Sequence, residues 1–131
     1  MKIVFDTNVL LAAFATRGLC ETLFESCLAE HEIVLSPPIL DEFREHLAGK
    51  FKLPAARVNE IVAFLKAECS QVEPTPVPKN ACRDPDDLLI LGTAIAAKAN
   101  CIVTGDKDLL TLGDYERVAI VAPRALYDRL K

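Results

Sequence analysis

The stretch KIVFDTNVLL (residues 2–11) begins as an apolar β-strand and passes directly into an acid, a hydroxyl and an amide. A second stretch, CIVTGDKD (residues 101–108), has the same form, since an apolar run is followed by a glycine and two acids. In an open α/β sheet the ligand crevice lies outside the carboxyl ends of the strands, where the strand order reverses. If these two strands pair, Asp6 and Asp106 become neighbours, and two carboxylates at one sheet edge suggest a metal site.

The composition indicates one globular domain over residues 1–131, because a chain of this size can bury a sizeable core. The net charge of −4 does not favour a simple phosphate-gripping module, although bound divalent cations would invert the local charge. We find neither a long uncharged apolar run nor a signal-peptide pattern, so we expect a soluble, cytoplasmic protein without a membrane partner. The five cysteines include no C-x-x-C pair and are expected in the core, outside any disulfide or zinc site.

Strand and helix patterns alternate along the chain, which is typical of a largely parallel sheet covered on both faces. Strands are predicted at residues 2–6, 32–35, 71–73, 101–104 and 118–121. Prolines after Ser36 and Asp84 mark helix starts with those two residues as N-caps, and Pro54 starts another helix. Residues 74–79, in which prolines alternate, are predicted to be an extended connection.

Two candidate acids each have a structural alternative. Asp6 follows a buried strand, so its side chain either binds a metal or caps the next helix, and the sequence favours neither. Glu42 lies on the flank of an apolar helical stripe, where a solvated side chain is the usual finding.

The acids beside the two later helix starts have different expected roles. Asp84 alone suffices as the N-cap of the helix that follows, which leaves Asp87 as a ligand held on a rigid element. Asp108 is the better cap by position for the next helix, which leaves Asp106 free for metal. Asp86 remains open as an additional member of the site.

Together these acids point to a cation. Like charges about 4 Å apart repel by roughly 4 kcal/mol at an effective dielectric near 20, so several carboxylates in one crevice need an opposing charge. Hard oxygen ligands suit Mg²⁺ or Mn²⁺, which activate water and neutralise a phosphodiester during in-line displacement.

The chain resembles the PIN-domain nucleases (PilT N-terminus) over essentially its whole length. The resemblance rests on FDTNVL (residues 5–10), Glu42, DLLILGTA (87–94) and VTGD (103–106). Within the family it looks most like the stand-alone VapC-type toxins of toxin-antitoxin pairs, through RDPDD (83–87) and TGDKDLL (104–110). Family members commonly carry a polar residue near Leu88 or Leu89, where this chain is apolar, so substrate contacts there are expected to differ.

The resemblance implies a three-layer α/β/α fold with a five-stranded parallel sheet of order 3-2-1-4-5, and Mg²⁺- or Mn²⁺-dependent endoribonuclease activity. Its site residues, carried over by position, are a catalytic quartet of which three members hold metal, with three supporting side chains. The quartet is Asp6, Glu42, Asp87 and Asp106, the metal ligands are Asp6, Asp87 and Asp106, and the supports are Asn8, Thr104 and Asp108. Substrate contacts are assigned to the cations Arg17, Arg83 and Lys107.

Two alternative functions have some support in the sequence. FDTNV (residues 5–9) faintly resembles the haloacid-dehalogenase phosphatases, but their general acid would stand at Asn8, so the proton donor is missing. The sequence also allows a PIN-like regulatory or binding protein with little intrinsic nuclease activity.

The expected partners are an RNA substrate, a cognate antitoxin and a second copy of the chain. The helix at 88–99 is apolar nearly all round, and the helix with Val58, Ile61, Val62 and Leu65 carries a further apolar stripe, which together predict a homodimer. A remaining groove would accept a helical segment of the antitoxin.

Overall fold

The computed structural model describes residues 1–131 as six strands, seven helices and one 3-10 turn. The strands are β1 (Lys2–Phe5), β2 (Glu32–Leu35), β3 (Ser70–Gln71), β4 (Cys101–Val103), β5 (Asp114–Tyr115) and β6 (Val118–Val121). The helices are α1 (Thr7–Ala15), α2 (Leu19–Glu30), α3 (Pro37–Gly49), α4 (Ala55–Glu68), α5 (Pro85–Ala97), α6 (Lys107–Leu112) and α7 (Pro123–Leu130), and the 3-10 turn is Lys79–Ala81.

The sheet has the order β3-β2-β1-β4-β6-β5 and is parallel except for its last pair. Strand β1 lies at its centre, since Val4 is opposite Val34 of β2 on one side and Ile102 of β4 on the other. The predicted α/β class and the order of the first four strands are confirmed, and the predicted fifth strand is β6. The five-strand count was wrong, because the short strand β5 pairs antiparallel with β6 at the edge.

Helices cover both faces of this sheet. Right-handed crossovers place α1 to α4 on one face and α5 and α6 on the other. Helix α5 packs against β1, β2 and β4, whereas α2 packs against β2 and α7. The central strand is therefore closed from both sides, and Ile3, Val4 and Phe5 are completely buried.

The helices begin close to the predicted positions. The chain breaks between α1 and α2 at Gly18, and α4 begins after Pro54. Asp84 caps α5 as expected, since its carboxylate accepts a hydrogen bond from the Asp86 amide at 2.9 Å. Ser36 occupies the N-cap position of α3 but makes no side-chain cap, and its hydroxyl is instead hydrogen-bonded to the Thr93 hydroxyl at 2.8 Å.

The predicted extended connection crosses α5 at Gly92. The Thr75 amide donates to the Gly92 carbonyl at 3.0 Å, and a Cβ added to Gly92 would lie 2.3 Å from the Thr75 carbonyl oxygen. We call residues 74–78 the strap. It covers part of the α5 surface for which the sequence predicted a partner, although Leu89 remains 40% exposed.

Three of the five thiols lie in the core as expected, whereas Cys20 and Cys82 are half-buried. Cys27, Cys69 and Cys101 are buried and free, and burial raises the pKa of Cys27 to about 12. None of the helices has both the length and the apolar character that a membrane crossing needs.

Candidate metal centre

A cavity of about 110 Å³ opens where β1 and β4 end, and polar side chains form nearly all of its lining. The lining consists of Asp6, Asn8, Glu42, Asp84, Asp86, Asp87, Ile90 and Asp106. We call it the acidic cavity. All four acids of the predicted quartet, together with the predicted support Asn8, therefore line one space at the carboxyl edge of the sheet.

Asp6 is held by the neighbouring strand end. Its backbone amide donates to the Val103 carbonyl at 3.0 Å, which continues the β1–β4 pairing beyond the last strand residue. Its carboxylate accepts a hydrogen bond from the Thr104 hydroxyl at 2.6 Å, and only 7% of the residue is exposed. Although Asp6 precedes α1, it forms no side-chain cap there, so its carboxylate remains directed to Thr104 and the cavity.

Thr104 also connects Asp6 to Asp106. The Thr104 oxygen accepts a hydrogen bond from the Asp106 amide at 3.0 Å, which joins the two acidic junctions through one buried hydroxyl. One Asp106 oxygen in turn accepts from the Leu109 amide at 3.0 Å and caps α6. The expectation that Asp108 would be the cap was wrong, because the turn after Gly105 places Asp106 in the N-cap position.

The remaining two quartet members come from helices. Glu42 lies on α3 and is half-buried, which fits its predicted place on the flank of the apolar stripe. Asp87 lies in the first turn of α5 and is only 7% exposed. The buried hydrogen bond between Thr93 of α5 and Ser36, directly before α3, ties together the two elements that carry these acids.

Crowding changes the proton affinity of the two buried acids. Burial, followed by the negative charges of Asp106 and Asp84, raises the pKa of Asp87 to about 7. Burial also raises the pKa of Asp6, while the hydrogen bond from Thr104 opposes that shift. The metal-free cavity therefore holds protons more tightly than ordinary carboxylates do, as expected where negative charges lack a counter-ion.

The donor set fits a hard divalent cation, because the cavity offers carboxylate oxygens and one amide. The described side chains include no group of three or more His, Cys, Asp or Glu already arranged to hold a metal ion. The metal assignment therefore rests on the chemistry and crowding of these donors.

The predicted substrate cations and the third support lie outside the lining of the acidic cavity. Arg83 and Asp108 form an ion pair at 2.8 Å, with side chains 85% and 47% exposed. Lys107 is exposed at the start of α6, and Arg17 is exposed in the turn between α1 and α2. None of the three cations lines the cavity.

Some residues of this site had only a weak signal in the sequence. Asp86 lines the acidic cavity and also a smaller pocket of about 50 Å³ beside it, which includes Glu42 and the exposed Leu89. The acid-rich turn before α5 was a signal for Asp86, but the spacing did not show which of its acids face inward. The Ser36–Thr93 contact had no sequence signal, because no strand-pairing or helical pattern relates the residue before α3 to the middle of α5.

Comparisons with known proteins agree with this architecture. A family model described as PIN domain matches residues 2–108. An uncharacterized protein from Methanocaldococcus jannaschii is 35% identical over 120 residues, covering 87% of this chain and 76% of that protein. A chain in the crystal structure of VapBC2 from Rickettsia felis, bound to a DNA fragment from their promoter, superposes with a TM-score of 0.63. That match covers 93% of this chain and 98% of the other at 17% identity, which shows a common fold.

Proposed function

The chain belongs to the PIN-domain family, and we propose that it is a metal-dependent endoribonuclease whose catalytic centre is the acidic cavity. PIN domains are generally nucleases and typically use divalent metal ions. The observation that carries the proposal is the meeting of four carboxylates, from two strand ends and two helices, in one polar cavity. Such a concentration of like charge has little structural use without a cation.

The proposed roles follow from the position of each side chain. Asp6, Asp87 and Asp106 would hold Mg²⁺ or Mn²⁺, with Glu42 completing the catalytic quartet and Asn8 beside it. When bound, the cation would neutralise charge on the phosphodiester and make bound water a better nucleophile. Thr104 orients the Asp6 carboxylate by its 2.6 Å hydrogen bond, and the cap on α6 fixes one oxygen of Asp106.

The proton on Asp87 links metal binding to pH. Because burial and neighbouring charges raise the pKa of Asp87 to about 7, a cation must displace a proton from this cavity near neutrality. Apparent metal affinity is therefore expected to increase as the pH rises through this range.

The likeness to a VapBC2 chain supports a finer proposal, that the protein is the toxin of a type II toxin-antitoxin pair and acts in the cytoplasm. Its partners would be RNA, a second copy of the chain and an antitoxin. An apolar pocket of about 260 Å³ lies among α1, α3 and α4, and Phe51 in its lining is 39% exposed. A helical antitoxin segment would bury such a surface. Co-purification with the product of the neighbouring gene tests this partner, and a protein that purifies alone would contradict it.

The activity is tested with purified protein, Mn²⁺ and a panel of structured and single-stranded RNAs. We expect cleavage that requires Mn²⁺ and is lost in Asp6→Asn and in Glu42→Gln. The matched control is Asp41→Asn, because Asp41 is the exposed neighbour of Glu42 on the same helix. Mn²⁺ should also stabilise the wild-type fold by about 2.7 kcal/mol at a hundredfold excess over its dissociation constant.

Two results would contradict the proposal. Cleavage that survives in Asp6→Asn would place the activity elsewhere, and an equal Mn²⁺-induced melting shift in that variant would remove Asp6 from the metal site. Stable RNA binding without cleavage by the wild type would favour the regulatory PIN-like alternative. Sequencing of RNA ends after expression of wild type and Asp6→Asn would identify the substrate and test toxicity.

A further inference from the structure

We infer that an open pocket between α2 and α7 binds single-stranded RNA and extends the substrate path away from the acidic cavity. The pocket has a volume of about 330 Å³, within the usual range for ligand sites of about 300–1,000 Å³. Its lining consists of Leu19, Thr22, Arg124, Tyr127 and Lys131. We call it the Tyr127 pocket. Its assignment to substrate RNA rests on the proposed function.

The chemistry of the Tyr127 pocket matches a nucleic-acid strand. The Arg124 guanidinium lies 5.6 Å and the Lys131 ammonium 5.4 Å from the centre of the Tyr127 ring. Single-stranded nucleic acids are held by aromatic rings and guanidinium planes that stack on bases, combined with cations that follow the phosphates. This pocket places both kinds of group within one turn on either side of Tyr127.

These side chains are partly ordered before any ligand binds. Asp128 Oδ1 lies 3.4 Å from Arg124 Nε and 3.8 Å from Lys131 Nζ, so one exposed acid lies beside both cations. The cations remain 69% and 60% exposed and are free to meet a phosphate. Tyr127 is half-buried and packs against the core, which fixes the position of its ring.

Helix α7, which together with Lys131 directly after it supplies three of the five pocket residues, begins at the edge of the sheet that carries the acids. Helix α7 begins directly after β6, and the last residue of β6, Val121, accepts a hydrogen bond from the Thr104 amide at 3.0 Å. The Thr104 hydroxyl in turn donates to the Asp6 carboxylate, so hydrogen bonds link the end of β6, directly before α7, to the acidic cavity. The first turn of α2 follows the turn that contains Arg17, the cation already predicted to contact substrate.

The negative charge of the protein explains why RNA binding would need a separate group of cations. The chain has a net charge of −4, and the acidic cavity concentrates carboxylates where a phosphodiester must approach. Residues 123–131 reverse this balance, with Arg124, Arg129 and Lys131 against Asp128 alone. The cations of α7 would offset the repulsion between the RNA backbone and the carboxylates of the acidic cavity.

RNA binding can be measured apart from cleavage. The probe is a fluorescein-labelled single-stranded RNA of about 12 nucleotides, titrated with the Asp6→Asn protein without divalent cations and followed by fluorescence anisotropy. We expect the added double substitution Arg124→Gln/Lys131→Gln to weaken binding by about tenfold or more. It should also reduce the slope of log K against log salt by about 1.4, or about 0.7 for each lost phosphate contact.

The aromatic ring should show a different signature. Tyr127→Leu should weaken binding by about tenfold without changing the salt slope, because stacking releases no counter-ion. Tyr127→Phe keeps the ring and should bind within about twofold of the parent. The matched charge control is Arg57→Gln. Arg57 lies on α4, away from the pocket helices, and is 63% exposed and paired with Glu60 of the same helix. Circular dichroism and melting temperature confirm that each variant is folded.

The assignment fails if the double variant binds within about twofold of its parent and keeps the parental salt slope, or if Arg57→Gln weakens binding equally. It also fails if the parent binds no RNA, or binds DNA of the same sequence more tightly. If the wild type binds RNA through this pocket but cleaves none, RNA binding at the Tyr127 pocket is supported and the proposed nuclease activity is contradicted. Cleavage with unchanged binding in the variants would refute the pocket and leave the nuclease standing.

Discussion

The two sides of the acidic cavity are held in place by different interactions. On the strand side, Asp6 and Asp106 are joined through the Thr104 hydroxyl, so neighbouring strand ends fix their positions directly. On the helix side, Glu42 and Asp87 depend on how α3 and α5 pack, through the Ser36–Thr93 hydrogen bond and the strap at Gly92. Half of the site therefore follows from the pairing of adjacent strands, whereas the other half depends on how helices and the strap pack against each other.

The largest expected effect concerns Asp87 and pH in the metal-free protein. Its pKa of about 7 in the folded state lies above the ordinary value of 3.8, so the folded state binds more protons between these limits. The contribution of Asp87 to the free energy of unfolding should therefore be greatest below about pH 4 and be lost as the pH rises to about 7. Asp6, whose pKa is also raised, contributes in the same direction.

Urea unfolding in EDTA at several pH values measures this effect. Asp87→Asn should flatten the pH dependence and should be more stable than the wild type above pH 7, because the buried charge is absent. Asp41→Asn, which removes an exposed carboxylate on α3, should retain the wild-type slope. An undiminished slope in Asp87→Asn would show that the helix side of the cavity is not crowded as described.

The second prediction compares two buried threonines, one on each side. Thr104→Val removes the donor to Asp6 and should destabilise the fold by about 1.5–3 kcal/mol at neutral pH, because a carboxylate loses its partner. The same change should raise the pKa of Asp6 further, since the Thr104 hydrogen bond lowers it. Thr93→Val removes the hydroxyl that is hydrogen-bonded to Ser36 and to the Leu89 carbonyl, at a cost of about 1 kcal/mol, without altering the pKa of Asp6.

Denaturant unfolding gives both free energies, and NMR titration of the side-chain carboxyl carbons gives the pKa. Equal shifts of the Asp6 pKa in the two variants would contradict the separation of the two sides.

The third prediction tests the packing that supports the helix side. Gly92→Ala places a methyl group 2.3 Å from the Thr75 carbonyl oxygen, so the strap or α5 must move. We expect a loss of about 1–3 kcal/mol in the free energy of unfolding, together with a smaller Mn²⁺-induced melting shift as Asp87 is displaced.

Gly49→Ala is the control, because nothing lies within 4 Å of its added Cβ. That variant should be neutral or more stable by up to about 1 kcal/mol. A Gly92→Ala protein with wild-type stability would show that the strap does not hold α5.

The sequence predicted most of the strand side and less of the helix side, for physical reasons. Apolar runs ending in acids define β1 and β4, and parallel pairing then makes Asp6 and Asp106 neighbours without further information. The cap of α6 was misassigned between Asp106 and Asp108 because both acids stand within one turn of the helix start. The choice depends on backbone angles that the residue types do not determine.

Two further features also lacked a usable sequence signal. The edge strand β5 escaped because its hairpin turn uses Glu116 and Arg117 with φ values of 50° and 72°, where glycine or asparagine is the usual signal. The strap was predicted to be extended. Its contact with α5 at Gly92 was not predicted, because no sequence pattern relates these two segments. The predicted metal, substrate and partner roles of the site residues remain predictions, which the cleavage, binding and co-purification experiments test.

The smallest expected effect concerns the Arg83–Asp108 ion pair, which joins the loop before α5 to the start of α6 and so bridges the two sides. Both side chains are too exposed for the pair to contribute more than about 1 kcal/mol. Arg83→Gln and Asp108→Asn should therefore each leave the free energy of unfolding within about 0.5 kcal/mol of the wild type.

Cleavage kinetics separate the two roles open to this pair. If Arg83 contacts the RNA backbone, Arg83→Gln raises KM with little change in kcat, because a charge that attracts the substrate is lost. Asp108→Asn breaks the same ion pair but keeps the cation, so its KM should be unchanged or lower. Equal losses of kcat in both variants would mean that the pair braces the helix side against the strand side. The two sides would then depend on each other, and Arg83 would lose its assignment to substrate.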